Sequence, residues 1–330
     1  MRLGIWAPAP QTIRADANVR PKFTALTQNG GGVDPSFLYA IDVLQRAEEL
    51  GFDITLIAQR WLGPDLDSWI YAAAMAAHTN KIELMAAVHP GITDPRIAAK
   101  MGASIDRISG GRFCVNIVNG ARQPELSAFG QWLDREAPRY QRMSEFIQVM
   151  KGLWAGDDFS FHGDFYNFEH VGIFTRSVRA PHPPIYAASH VEAGMEVVAR
   201  ECAAWFVNYD KDRNLYTESM KRIEREIGLM EMHARTLNKR LTYGLNALVL
   251  LGETDEEANA KAEEHLRFAQ SDPTMRVGSG GLGANLVGSP QTVAKRIDRY
   301  RALGIDLLML HFYPMRSGLD EFAEKVMPRL

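Results

Sequence analysis

Side chains able to do chemistry recur just past short apolar runs. Gln59 and Arg60 follow one run and His89 another, while Asn116 and Asn119 flank the end of a third. Ser189 and His190, then Asn208 and Tyr209, come after two more; Asn246 lies inside a longer one, and His311 and Tyr313 close the last. The set is built of amides, hydroxyls, imidazoles and aromatics, with only Asp65, Asp67 and Glu125 as nearby acids. A metal hydrolase would call for an H-x-H or H-E-x-x-H spacing, which the chain lacks. A serine hydrolase would call for G-x-S-x-G, and a glycosidase for two carboxylates at strand ends; neither pattern is present. Neutral, aromatic surroundings suit a bound cofactor that carries the reactive chemistry itself. An amide such as Asn116 can donate to a polar cofactor atom without adding acidity. His89 and His311 are candidates to relay protons or orient substrate, weighed against satisfied structural histidines.

These residues need elements that put them together, and strand-like and helix-like segments alternate from end to end. Leu3–Ala7, Asp53–Ile57, Ile82–Val88 and Arg112–Val118 read as the first four strands, and Ile185–Ala188, Ala203–Val207, Leu241–Leu251 and Ile305–Leu310 as the last four. Asp34-Pro35, Asp94-Pro95 and Ser289-Pro290 each give an N-cap followed by proline in the first helical turn. Ser189–Glu192 and Thr254–Glu257 have the capping-box form. The alternating segment DDFSFHGDFYNF (157–168) reads as an inserted β-hairpin, and the glycine-rich stretch Val277–Gly283 as a mobile loop able to close over a site. Eight strands with intervening helices predict a (β/α)8 TIM barrel as one domain over residues 1–330. No G-x-G-x-x-G follows the first strand, which argues against an open dinucleotide-binding sheet. In such barrels the active site lies at the C-terminal strand ends, where the residues above fall.

The bulk numbers fit an ordinary globular chain: 330 residues, 46% hydrophobic, 23% charged and a net charge of −3. Nothing in the charge pattern favours nucleic acid or an anionic membrane, and no apolar run approaches the roughly 20 residues of a bilayer span. Two cysteines in apolar segments, Cys114 and Cys202, read as buried free thiols of a cytoplasmic protein.

The run from His89 to Glu125, HPGITDPRIAAKMGASIDRISGGRFCVNIVNGARQPE, resembles the centre of the bacterial luciferase-like flavin monooxygenases, where A-x-x-D-x-[IL]-S-G-G-R leads into N-[ILV]-V-[TSN]-G. Further matching pieces, in the same order, are Arg139-Tyr140, the hairpin, PPIYAAS, and NLVGSPQTVAKRI followed by LGID. The likeness is greatest to the branch of alkanesulfonate and dimethylsulfone monooxygenases. It implies FMN, bound in its reduced form FMNH2 after supply by a separate NAD(P)H-dependent reductase. It also implies reaction with O2 through a flavin peroxide, a small organosulfur substrate, and a homodimer or homotetramer. Oxygenation of a cyclic amide such as a pyrimidine, F420-dependent hydride transfer, and plain flavin storage stay open as alternatives.

Carried over residue by residue, the resemblance assigns Asn116 and Asn119 to the flavin ring and Tyr140 to its ribityl chain. It assigns Ala188, Ser189 and His190 to the phosphate, at what reads as a helix N-terminus. Catalytic roles are expected for Asn116, His89 and His311. Substrate contacts are expected from Gln59, Glu125, Asn208, Asn246, Arg276 and Tyr313. Alkanesulfonate enzymes place an Arg and a His on strand seven; here those positions are Asn246 and Leu248, and Asn208 stands for a tryptophan. Loss of the fixed cation favours a neutral, sulfone-like substrate, because a buried anion needs a paired charge or several donors. Arg276, beside the glycine-rich loop, is the remaining candidate cation.

Overall fold

The computed structural model describes residues 1–10, 12–17, 32–120, 123–129, 136–271 and 279–330. Strands β1 (Arg2–Trp6), β2 (Ile54–Ile57), β3 (Glu83–Val88), β4 (Phe113–Ile117), β7 (Ile185–Ala188), β8 (Ala204–Phe206), β9 (Thr242–Leu251) and β11 (Leu307–Phe312) form the barrel sheet. The order is β9-β11-β1-β2-β3-β4-β7-β8, and β8 pairs back onto β9, so eight strands close into a (β/α)8 barrel. The hairpin strands β5 (Phe159–His162) and β6 (Asn167–Val171) pair antiparallel in a separate sheet. One short strand was not foreseen: β10 (Leu286–Gly288) runs parallel to the last three residues of β9.

The helix starts follow the capping chemistry. Asp34 accepts hydrogen bonds from the N–H groups of Ser36 and Phe37 and opens α2 (Pro35–Glu49), which α1 (Thr12–Ala17) precedes. Asp67 opens α3 (Ser68–His78) and Asp94 opens α4 (Pro95–Ser109), which Gly110 ends in the left-handed region at φ 67°. After α5 (Gln123–Phe129) and α6 (Glu136–Ala155) comes α7 (Glu192–Glu201). The chain continues through α8 (Tyr216–Thr236), α9 (Asp255–Ser271), α10 (Pro290–Ala302) and α11 (Met315–Lys325). Among the described residues no helix is long and apolar enough to cross a membrane.

Cα packing divides the chain into two compact units. Unit one comprises Met1–Thr55, Asn208–Gly228 and Tyr243–Leu330. Its core joins Phe52, Phe312 and Phe322, with ring centroids 5.5 to 6.2 Å apart. Unit two comprises Leu56–Val207 and Leu229–Thr242. There Trp69 meets Phe113 edge-on at 5.2 Å and donates its indole N–H to the Ala87 carbonyl at 2.8 Å, so a large apolar ring is buried with its one polar atom satisfied.

Two sequence expectations are corrected by the packing. Ser189 does not cap α7: the helix begins at Glu192 with Val191 as N-cap and no side-chain cap bond. The glycine-rich stretch is seated where it is described, with residues 279–284 forming a 3-10 turn whose Leu282 is 1% exposed. A Cβ on Gly281 would meet the Leu248 backbone, and one on Gly283 the Asp210 carbonyl. Both glycines therefore serve close approach of two backbones. Arg276, with Val277 and Gly278 of the proposed loop, lies outside the described residues. Cys114 and Cys202 are buried and free.

Candidate active site

In unit two, the ends of β2, β3, β4 and β7 carry one cluster. His89 follows β3 and is 4% exposed; its backbone N–H donates to Gln59 Oε1 at 3.2 Å, and its Nδ1 lies 3.0 Å from the same oxygen. A backbone N–H only donates, so the Gln59 atom facing His89 must be oxygen, and the ring must carry its proton on Nδ1. The Nε2 lone pair is then left to accept. Burial lowers the His89 pKa to about 4, with Glu125 pulling weakly the other way. The imidazole is therefore neutral at ordinary pH. Gln59, expected to touch substrate, fixes the tautomer of His89 through its Oε1. Glu125 is 2% exposed on α5, and the Leu62 N–H approaches its carboxylate at 3.4 Å, so it is no solvated loop acid.

On β4, Asn116 is paired with Ala87 of β3 and Tyr186 of β7 and is buried. Asn119 is buried too, and its Nδ2 has no hydrogen-bond partner among the described residues. A buried amide N–H without a partner costs roughly 1–3 kcal/mol, so this group calls for a partner that the described residues do not supply. Ser189 Oγ lies 3.4 Å from the Tyr140 hydroxyl and 3.2 Å from the Val191 N–H. The Arg139 guanidinium stands 5.2 Å from the centroid of the Tyr140 ring. This gives two hydroxyls with a cation beside them, which suits a phosphate. Ala188 and His190, on either side of Ser189, are exposed.

In unit one, Asn246 on β9 and His311 on β11 are joined by Trp6, the last residue of β1. The Trp6 indole N–H donates to Asn246 Oδ1 at 3.2 Å, and its ring stacks on His311 with centroids 4.7 Å apart. The Tyr209 hydroxyl donates to the Asn246 main-chain carbonyl. Asn208 is half-buried beside Tyr209. Tyr313 meets His265 of α9 edge-on at 4.8 Å, and both His265 nitrogens are buried without a partner among the described residues. Trp6 was missed although it ends the first apolar run, a position equivalent to those searched on later strands. Nothing in the sequence marked His265, whose contact is tertiary.

Residues 1–307 match the family described as luciferase-like monooxygenase. The chain belongs to that family. Among relatives of this luciferase-like monooxygenase is the FMNH2-dependent dimethylsulfone monooxygenase of Pseudomonas putida, 30% identical over 326 residues, covering 88% of this chain and 87% of the relative. Among solved structures, monooxygenase RslO1 from Streptomyces bottropensis superposes with a TM-score of 0.78 at 22% identity, covering 99% of both chains. An F420-dependent secondary alcohol dehydrogenase shares the barrel at a TM-score of 0.70 and 18% identity, covering 99% of this chain and 98% of that one. The shared barrel thus leaves the cofactor to be argued from the site.

Proposed function

We propose that this luciferase-like monooxygenase is an FMNH2-dependent, two-component enzyme oxidising a small neutral organosulfur compound of the sulfone class, with a separate NAD(P)H-dependent flavin reductase and O2 as its partners. The observation that carries the reading is the buried Nδ2 of Asn119, unpartnered among the described residues and just past β4, whose sheet neighbour β7 leads into Ser189 with its hydroxyl against that of Tyr140. That set fits a flavin: an amide donor for a ring carbonyl, and hydroxyls with Arg139 for the phosphate. Reduced flavin with O2 supplies the oxidising chemistry; the chain's residues bind and orient. Asn116 and Asn119 hold the ring by neutral donors, so no side-chain acid competes for protons. His89 offers Nε2 as an acceptor, held by Gln59. Asn246 offers a neutral amide to substrate, in keeping with an uncharged substrate and with the sulfone named for the Pseudomonas putida relative.

The test is oxygenation of dimethyl sulfone by the full chain with a flavin reductase, FMN and NADH, against methanesulfonate, uracil and F420. Sulfone-dependent product is expected. In parallel, Asn119→Leu should weaken reduced-flavin binding about tenfold, the worth of one buried hydrogen bond. Binding of F420 in place of FMNH2, or flavin binding unchanged in Asn119→Leu, would overturn the reading.

A further inference from the structure

We propose that Trp6 determines substrate specificity by fixing the polarity of the Asn246 amide, so that this side chain turns its N–H donors rather than its oxygen to the substrate. The proposal rests on the sulfone reading above and deepens it. An indole N–H donates and never accepts, so the Asn246 atom 3.2 Å from Trp6 Nε1 is its carbonyl oxygen. The oxygen is thereby turned toward the indole, and the two N–H groups on Nδ2 are the polar atoms the side chain turns the other way. Rotating the amide would set donor against donor and forfeit the bond, which disfavours the flipped form by roughly tenfold or more. The residue cannot turn as a whole either, because the Tyr209 hydroxyl holds its main-chain carbonyl and β9 pairs it with Met309. The same indole covers one face of the His311 ring, at an interplanar angle of 14°.

A fixed donor suits a substrate with acceptor oxygens and no N–H, which describes a sulfone. A cyclic amide must place its own N–H against an acceptor, and the Asn246 oxygen is turned toward Trp6 instead. An anion would gain no charge partner from a neutral amide. Trp6 thus acts through Asn246 as a positioning residue.

Trp6→Phe keeps an aromatic ring over His311 and deletes the donor. With the full chain, reductase, FMN and NADH, it should raise KM for dimethyl sulfone about tenfold while kcat falls much less, as loss of uniform binding requires. Asn246→Asp, which offers an acceptor outward, should raise KM at least as far. A readout independent of turnover comes from the indole N–H resonances of the six tryptophans in 15N-tryptophan protein. The resonance absent from Trp6→Phe should shift and exchange faster in Asn246→Leu. An unchanged KM in Trp6→Phe, a loss confined to kcat and thermal stability, or an indole resonance indifferent to Asn246→Leu would overturn the proposal. If the wild-type chain oxidises no sulfone, the functional reading fails by itself, and the resonance still decides whether Trp6 holds Asn246.

Discussion

At the residue scale, the side chains at the strand ends are set by partners that can play only one hydrogen-bonding part. The His89 backbone N–H orients Gln59, and Gln59 in turn puts the imidazole proton on Nδ1. That arrangement can be tested with a carboxylate. Gln59→Glu leaves an oxygen at the same place but adds a charge, so the His89 pKa, held at about 4 by burial, should move up by one to several units. The acid limb of the activity–pH profile should shift in the same direction, and the 15N resonances of the His89 ring should report a proton added at Nε2 at higher pH than in the wild type. An unmoved titration would mean that Gln59 does not govern the ring. The identity of the residues at these positions was legible in the sequence, since they follow the apolar runs. Their division of labour was not: whether Gln59 faces a ligand or a neighbouring histidine depends on a contact 30 residues away.

At the element scale, much of what makes the family motif recognisable is scaffolding. Asp106, fully buried on α4, accepts the backbone N–H groups of Val178 and Arg179 at 2.7 and 3.0 Å and pins the segment after the hairpin. Arg112 spends its guanidinium on the carbonyls of Ala76, Thr79, Ile82 and Ser109 at 2.8 to 3.0 Å, covering the C-terminal ends of α3 at Ala76 and Thr79 and of α4 at Ser109. Arg112→Met should therefore lower stability by about 2–4 kcal/mol in denaturant unfolding, with KM and flavin affinity little changed. A fall in flavin affinity without loss of stability would assign Arg112 to the site. The boundaries of the eight barrel strands, to within two residues, and the Asp34, Asp94 and Ser289 caps were readable because short apolar runs and capping chemistry are local. Ser189 failed as a cap because its hydroxyl turned to Val191 and Tyr140 instead. The glycines of 279–284 were misread because flexibility and close approach call for the same residue, and only the packed backbone of β9 distinguishes them.

At the scale of the whole molecule, the chain should be sensitive to acid well above the range where carboxylates protonate. His89 and His265 are buried and His182 is half-buried, and burial lowers the pKa of each below the ordinary histidine value. The folded state then binds protons less readily than the unfolded chain, so stability is full above about pH 6.5 and falls as pH drops from there. For His89 the loss runs down to about pH 4 and amounts to roughly 3 kcal/mol when complete. The depressed carboxylates of Asp94, Glu201 and Asp255 add their own loss only at lower pH, as each protonates. Between pH 6.5 and about 5 the histidines therefore dominate, and His265 isolates their effect because it makes no hydrogen bond among the described residues that a substitution would break. On α9, packed against Tyr313, His265→Leu removes two unsatisfied nitrogens and one titrating group together. Urea midpoints should show the variant at least as stable as the wild type near neutral pH and visibly less destabilised at about pH 5. Equal acid slopes for the two proteins would mean that His265 finds a partner in solution and takes no part in the acid response.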